Sequence, residues 1–92
     1  MYYVYIITNI NDNVLYTGVT NNLPRRMYEH REKVMDGFSK RYNLFKLVHY
    51  EEFDNILDAI DREKQIKKYS RQKKIDLISS QNEKWDDLGL EL

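Results

Sequence analysis

Ninety-two residues with 41% hydrophobic side chains, one Pro and three Gly suffice for one modest core and exclude a disordered or low-complexity chain. With no Cys present, disulfides and thiolate ligands are excluded, so a bound cation must use oxygen or imidazole donors, which favours Mg²⁺ or Mn²⁺. A formal net charge of zero argues against a nucleic-acid partner only until its distribution is read. Glu51 to Asp61 carries five acids and no base, Arg62 to Lys74 seven bases and one acid, and Arg25 to Lys46 seven bases and three acids. Two basic stretches are therefore available to meet phosphates if the fold brings them together. The apolar run at the N-terminus lacks a basic leader and is far shorter than the roughly 18 residues a membrane span needs. A single cytoplasmic domain over residues 1–92, with no repeat, linker or membrane association, is the expectation.

Tyr2 to Thr8 is aromatic, β-branched and apolar at nearly every position, as in a strand covered on both faces. It is the expected central strand. Asn9 to Asn13 is a turn by composition, and Val14 to Val19 completes a hairpin. Thr20, Asn21 and Asn22 offer capping oxygens before Pro24, predicting a helix that runs to Gly37 with Leu23, Met27, His30 and Val34 on one stripe. A polar connection over 37–43 leads to a third strand, Leu44 to Phe53. Asp54 or Asn55 caps a second helix running to about Ser70, with Ile56, Ala59, Ile60 and Ile66 inward. A third helix spans about Arg71 to Ser79 with Ile75, Leu77 and Ile78, and Trp85 anchors the tail. The class is α+β: a three-stranded, mainly antiparallel sheet, first strand central, flanked by about three helices.

Three polar groups break this pattern. His30 and Glu63 occupy apolar helix stripes, and Arg26 lies one turn before His30. Burying charge without a partner is costly, so each needs a reason. A purely structural account pairs Arg26 with Glu63 and leaves His30 as a satisfied core residue. A tight turn near Asn11-Asp12 puts Tyr5 and Tyr16 on one sheet face, which adds two phenols to the set.

Val4-Tyr5-Ile6, then Tyr16-Thr17-Gly18, then Thr20 to Arg26 and His30 resemble the GIY-YIG nuclease superfamily. The spacing carries the likeness: Arg follows the second-motif Tyr by ten residues, His or Tyr by fourteen, and a lone Glu stands on a later helix. Those positions are Tyr16, Arg26, His30 and Glu63. Ala59, Arg62 to Lys67, Lys73-Lys74, Leu77-Ile78 and Asn82 before Trp85 to Leu88 further resemble its small stand-alone members, which are similar to the nuclease domain of an excision repair enzyme. Departures are Tyr3 for the first-motif Gly, Thr17 for Ile, and Pro24 for an acidic or polar residue. The resemblance implies a metal-dependent endonuclease hydrolysing phosphodiester bonds in DNA, RNA not being excluded, in repair or recombination. It implies catalytic roles for Tyr5, Tyr16, Arg26, His30 and Glu63, with Gly18 and Asn82 as accessory positions.

Hydrolysis needs an activated water, charge neutralisation at phosphoryl oxygens and a stabilised leaving oxygen. Glu63 as the sole protein ligand would hold one Mg²⁺ or Mn²⁺, weakly without substrate. Free phenols titrate near ~10, so Tyr16 as base needs nearby positive charge, which Arg26 supplies, or relay through His30. Lys40, Arg41 and Tyr42 and the run Lys64, Lys67, Lys68, Lys73 and Lys74 would contact nucleic-acid phosphates. No base-reading module is evident, which suggests structure-selective cutting or recruitment by a partner protein. The alternatives are a nucleic-acid-binding domain with weak catalysis and a structural module whose ion pairs only hold the fold.

Overall fold

The computed structural model describes residues 1–34 and 37–92. Strand β1 (Tyr2–Thr8) is central in a three-stranded antiparallel sheet of order β2-β1-β3, between β2 (Leu15–Thr20) and β3 (Lys46–Phe53). The hairpin turn closes through Asp12 in the left-handed region at φ 56°. The Asn9 side chain accepts from the Asn13 and Val14 amides, the local bonding that gives Asn its place in turns. In β1, Tyr5 and Ile7 face one apolar cluster with Leu23, Met27, Leu44 and Leu47, while Val4 and Ile6 face another with Val48, Ala59, Ile66 and Ile78. That double burial is why the strand is apolar throughout.

Helix α1 (Leu23–Arg31) starts where the sequence predicts, with the Asn22 side chain capping the Arg25 amide. It ends six residues short of Gly37. Lys33 adopts φ 54°, and Lys33 N–H and Val34 N–H donate to the His30 and Glu29 carbonyls, a Schellman closure built without glycine. Val34 is exposed and leaves the expected stripe; residues 35 and 36 of that predicted helix lie outside the described residues. Gly37 instead opens a further helix, at φ 108° and ψ −150°, a backbone region essentially reserved for glycine. This α2 (Phe38–Arg41) replaces the expected polar connection. β3 begins at Lys46, because Leu44 and Phe45 are held by Ser39 and Thr8 carbonyls instead of by a strand ladder. Helix α3 (Ile56–Lys67) is capped by Asn55, and it stops before Ser70 because Ser70 caps α4 (Arg71–Gln81). Within α3, Ala59 and Ile66 are buried, but Ile56 is exposed.

The acids of β3 have a structural use. Glu51 accepts two bonds from the Arg62 guanidinium of α3, at 2.8 and 3.1 Å, and one from His49 at 2.8 Å. His49 first, then Arg62, holds the carboxyl at about 2 against the opposing effect of burial. No helix among the described residues is long and apolar enough to cross a membrane.

A single 3-10 turn, Leu88–Glu91, follows α4 and lies against β3. Its approach is fixed by two buried or half-buried side chains. Asp87 accepts from the Leu47 and Gly89 amides. Asn82 donates to the Val48 and Asp86 carbonyls at 3.0 and 2.9 Å and accepts from the Asp86 amide at 3.0 Å. Trp85 is half-buried against the α3 and α4 core and donates to Ser79 at 3.0 Å, as its anchoring role requires. Asn82→Ala would remove the donor to the buried Val48 carbonyl and both bonds to Asp86, so urea unfolding should show a loss of about 2 kcal/mol or more. Unchanged stability would mean that the C-terminal segment is held by something else.

Candidate active site

The antiparallel register sets Tyr5 opposite Gly18 and Tyr16 opposite Ile7, which places both phenols on the α1 side of the sheet. Their ring centroids are 6.4 Å apart, and the His30 ring lies 5.7 Å from Tyr5 and 6.3 Å from Tyr16. The Tyr5 hydroxyl is 3.1 Å from His30 Nε2, and His30 Nδ1 is 2.9 Å from the Ser39 hydroxyl of α2. Tyr5 and His30 are 0% and 3% exposed, so they form the floor of the site. Tyr16 is half-buried; the side chains of Arg26 and Glu63 are 31% and 17% exposed, forming its rim.

Burial pushes the Tyr5 phenol up to about 12, although the Arg26 guanidinium beside it favours the charged form. Burial, then the Arg26 charge, lowers His30 to about 4. Both floor groups are neutral near pH 7. The Arg26 charge beside the Tyr5 oxygen attracts that oxygen's lone pairs and so turns the phenol O–H toward His30 Nε2, which makes Nδ1–H the donor to Ser39. Arg26 Nε also pairs with Glu29 at 3.3 Å, and Glu63 pairs with Lys67 at 3.5 Å. The internal Arg26–Glu63 bridge of the purely structural account is absent among these pairs.

Glu63 comes from α3, whose apolar face covers the opposite side of the sheet, yet its charge acts on Tyr5. The Lys67 contact engages Oε2. Among the described residues no three His, Asp or Glu side chains converge as a metal cage, so the donor set fits one carboxylate with the remaining positions left to water and phosphate oxygens. That is the mode in which Mg²⁺ commonly binds. A polar cleft of about 270 Å³ opens beside the rim, lined by Thr20, Asn21, Asn22, Arg25, Arg26 and Glu29. The larger hollow, about 440 Å³, lies along β3 between Val48, His49, Glu52 and the C-terminal Leu88 and Glu91, among none of the residues just described.

Lys40, Arg41 and Tyr42 are exposed on α2 and its C-terminal end, beside the site; Lys64, Lys67, Lys68 and Lys73 are exposed and Lys74 half-buried on α3 and α4. Gly18 lies under Tyr5: a Cβ there would stand 2.6 Å from the Tyr5 hydroxyl. Asn82 is apart from this group, its amide engaged with Val48 and Asp86. Three contributors escaped the sequence reading. Ser39 fixes His30, Glu29 fixes Arg26, and Phe38 stacks on Tyr16 at 6.1 Å with a 26° interplanar angle. Glu29 was findable as the acid three residues after Arg26; Ser39 and Phe38 carry no local signal.

A family model described as the GIY-YIG catalytic domain matches residues 1–76. A UPF0213 protein of Clostridium perfringens is 39% identical over 92 residues, covering 100% of this chain and 98% of that protein. A UPF0213 protein of Syntrophus aciditrophicus is 41% identical over 83 residues, covering 89% and 94%. The solution NMR structure of a UPF0213 protein from Bacillus halodurans superposes with a TM-score of 0.60 at 28% identity, covering 95% of this chain and 93% of that one.

Because folding lowers His30 from 6.5 to about 4, the unfolded chain binds more protons between those values. Its stabilising contribution is complete above about pH 6.5 and is lost as pH falls toward 4, by at most about 3 kcal/mol. Urea midpoints should therefore decline from pH 6.5 downward, before Glu51, lowered from 4.5 to about 2, begins to contribute. His30→Gln should flatten that upper part of the profile; identical slopes in the two proteins would refute the neutral floor.

Proposed function

The chain belongs to the GIY-YIG catalytic domain family, a family of nucleases, and from that premise we propose that it is a divalent-cation-dependent endonuclease acting on DNA, selective for structure and working in repair or recombination. The observation that supports this reading is a buried Tyr5 bonded to His30, with the Tyr16 ring beside both and the Arg26 and Glu63 charges acting on Tyr5. A cation held by Glu63 would supply Lewis-acid stabilisation to the phosphate.

The protein's own groups divide the remaining work. Arg26, paired with Glu29 and partly exposed, presents donors to a phosphoryl oxygen, a task suited to a planar guanidinium. Tyr16 is half-buried at the mouth, where its hydroxyl can orient the attacking water and its phenolate form, the phenol proton having passed to solvent, can take that water's proton. His30 is a positioning residue: both ring nitrogens are occupied and the ring is buried, so it orders Tyr5 instead of meeting water. The Arg26 charge in turn acts on the Tyr5 oxygen. Exposed Lys40, Arg41 and Tyr42 lie beside the rim and are suited to the flanking backbone. With no base-reading element among these residues, selectivity falls to the shape of the substrate or to a partner protein.

Purified protein should nick supercoiled or branched DNA with Mn²⁺ or Mg²⁺. Glu63→Gln should reduce this by about a hundredfold or more, with an unchanged unfolding midpoint because Glu63 is partly exposed and its ion pair with Lys67 is an i,i+4 contact. Cutting by the Gln variant at the wild-type rate, or no cutting by the wild type on any such substrate, would overturn the assignment.

A further inference from the structure

Phe38 and Tyr42 leave large aromatic surfaces in water: they are 45% and 41% exposed, with ring centroids 4.6 Å apart. Four residues apart across α2 and its end, they project from the same side of the turn. The rings are tilted by 43° and not stacked on one another, and nearly half of each side chain stays open to solvent. Phe38 meets Tyr16 at 6.1 Å, and the Arg41 guanidinium lies 5.6 Å over the Tyr42 ring. A row of rings thus runs outward from the site mouth, through Tyr16, Phe38 and Tyr42, and ends at a cation.

The row is tied to the site. Between the two exposed rings, Ser39 is buried and bonds His30 at 2.9 Å. That bond sets where α2 sits, and through it where the rings stand relative to Tyr16. α2 sends Ser39 inward and both rings outward, so core packing does not account for them. Aromatic faces flanked by cations match one ligand chemistry well: bases stack on the rings while the strand's phosphates meet the positive charge. A base inside a duplex already has its faces covered by its neighbours, so only an unpaired base can use such a surface. Continuity with Tyr16 and the guanidinium over Tyr42 favour a nucleic acid over an apolar protein partner.

We propose that Phe38 and Tyr42 form a stacking platform for unpaired bases of a DNA strand, so that the site engages a single-stranded flank beside the bond it cuts. The proposal rests on the nuclease reading for its meaning but not for its test, which is binding without divalent cation. A labelled short oligothymidylate should bind more tightly than a labelled hairpin duplex in fluorescence anisotropy. Phe38→Leu and Tyr42→Leu, which keep apolar bulk and remove the ring, should each weaken oligothymidylate binding about tenfold more than hairpin binding; Phe38→Trp should retain the preference. Equal losses on both probes, or none, would overturn the platform. Should Phe38→Leu fail to fold, Tyr42→Leu carries the comparison. The two readings fail separately: a protein that nicks duplex DNA but shows no ring-dependent strand preference loses the platform alone. One that shows the preference but never cuts loses the nuclease assignment alone.

Discussion

The hydrogen bond between the Tyr5 hydroxyl and His30 Nε2 exists only because residue 18 carries no side chain. Tyr5 crosses over Gly18 on the neighbouring strand, and any Cβ there would collide with the phenol oxygen and its ring carbon. Removing that side chain lets a tyrosine lie flat across the sheet and reach the first helix without losing its place in the core. Once there, it is desolvated, and desolvation dictates what it can be: a neutral donor, next to a histidine that burial also keeps neutral.

From that floor the arrangement of charge follows. Ion pairs buried in a core cost more in lost hydration than they regain, so charged groups belong where water and substrate can reach them. Arg26 and Glu63 stay at the rim and use neighbours on their own helices, Glu29 and Lys67, as local partners. Such partly exposed pairs are weak and exchangeable, which suits groups whose proposed partners are a phosphate and a cation. The floor supplies rigidity and the rim supplies charge. Ser39 extends the same logic to α2, because the bond that orders His30 also fixes the exposed rings beside Tyr16.

Much of this was legible in the residues. The hairpin followed from an apolar run, an Asn/Asp turn and a second alternating run, and its register put Tyr5 and Tyr16 on one face as the period of two requires. The starts of α1 and α3 were equally plain, since Asn22 and Asn55 cap by side-chain bonding that composition reveals, whereas Ser70, read as the end of α3, caps α4. Helix ends were not. α1 stops where Lys33 turns left-handed, a position where glycine is the usual mark, and the glycine that does occur serves the start of α2. His30 and Glu63 stood out because they offend an apolar periodicity, and Arg26 because it lies one turn before His30. Ser39 and Phe38 offend nothing locally; their importance arises from contacts with residues nine and twenty-two positions away. Asn82 looked like an accessory residue by resemblance, whereas its amide is spent on the backbone of β3 and of the C-terminal segment.

The most direct measurement is of the His30 ring itself, by nitrogen-15 NMR of the imidazole as pH is lowered from neutrality. A buried ring accepting from Tyr5 and donating to Ser39 should be the Nδ1–H tautomer at pH 7 and should remain neutral until about pH 4. An Nε2–H tautomer, or protonation near the ordinary value of about 6.5, would mean that the ring is hydrated and that the neutral floor beneath Arg26 does not exist.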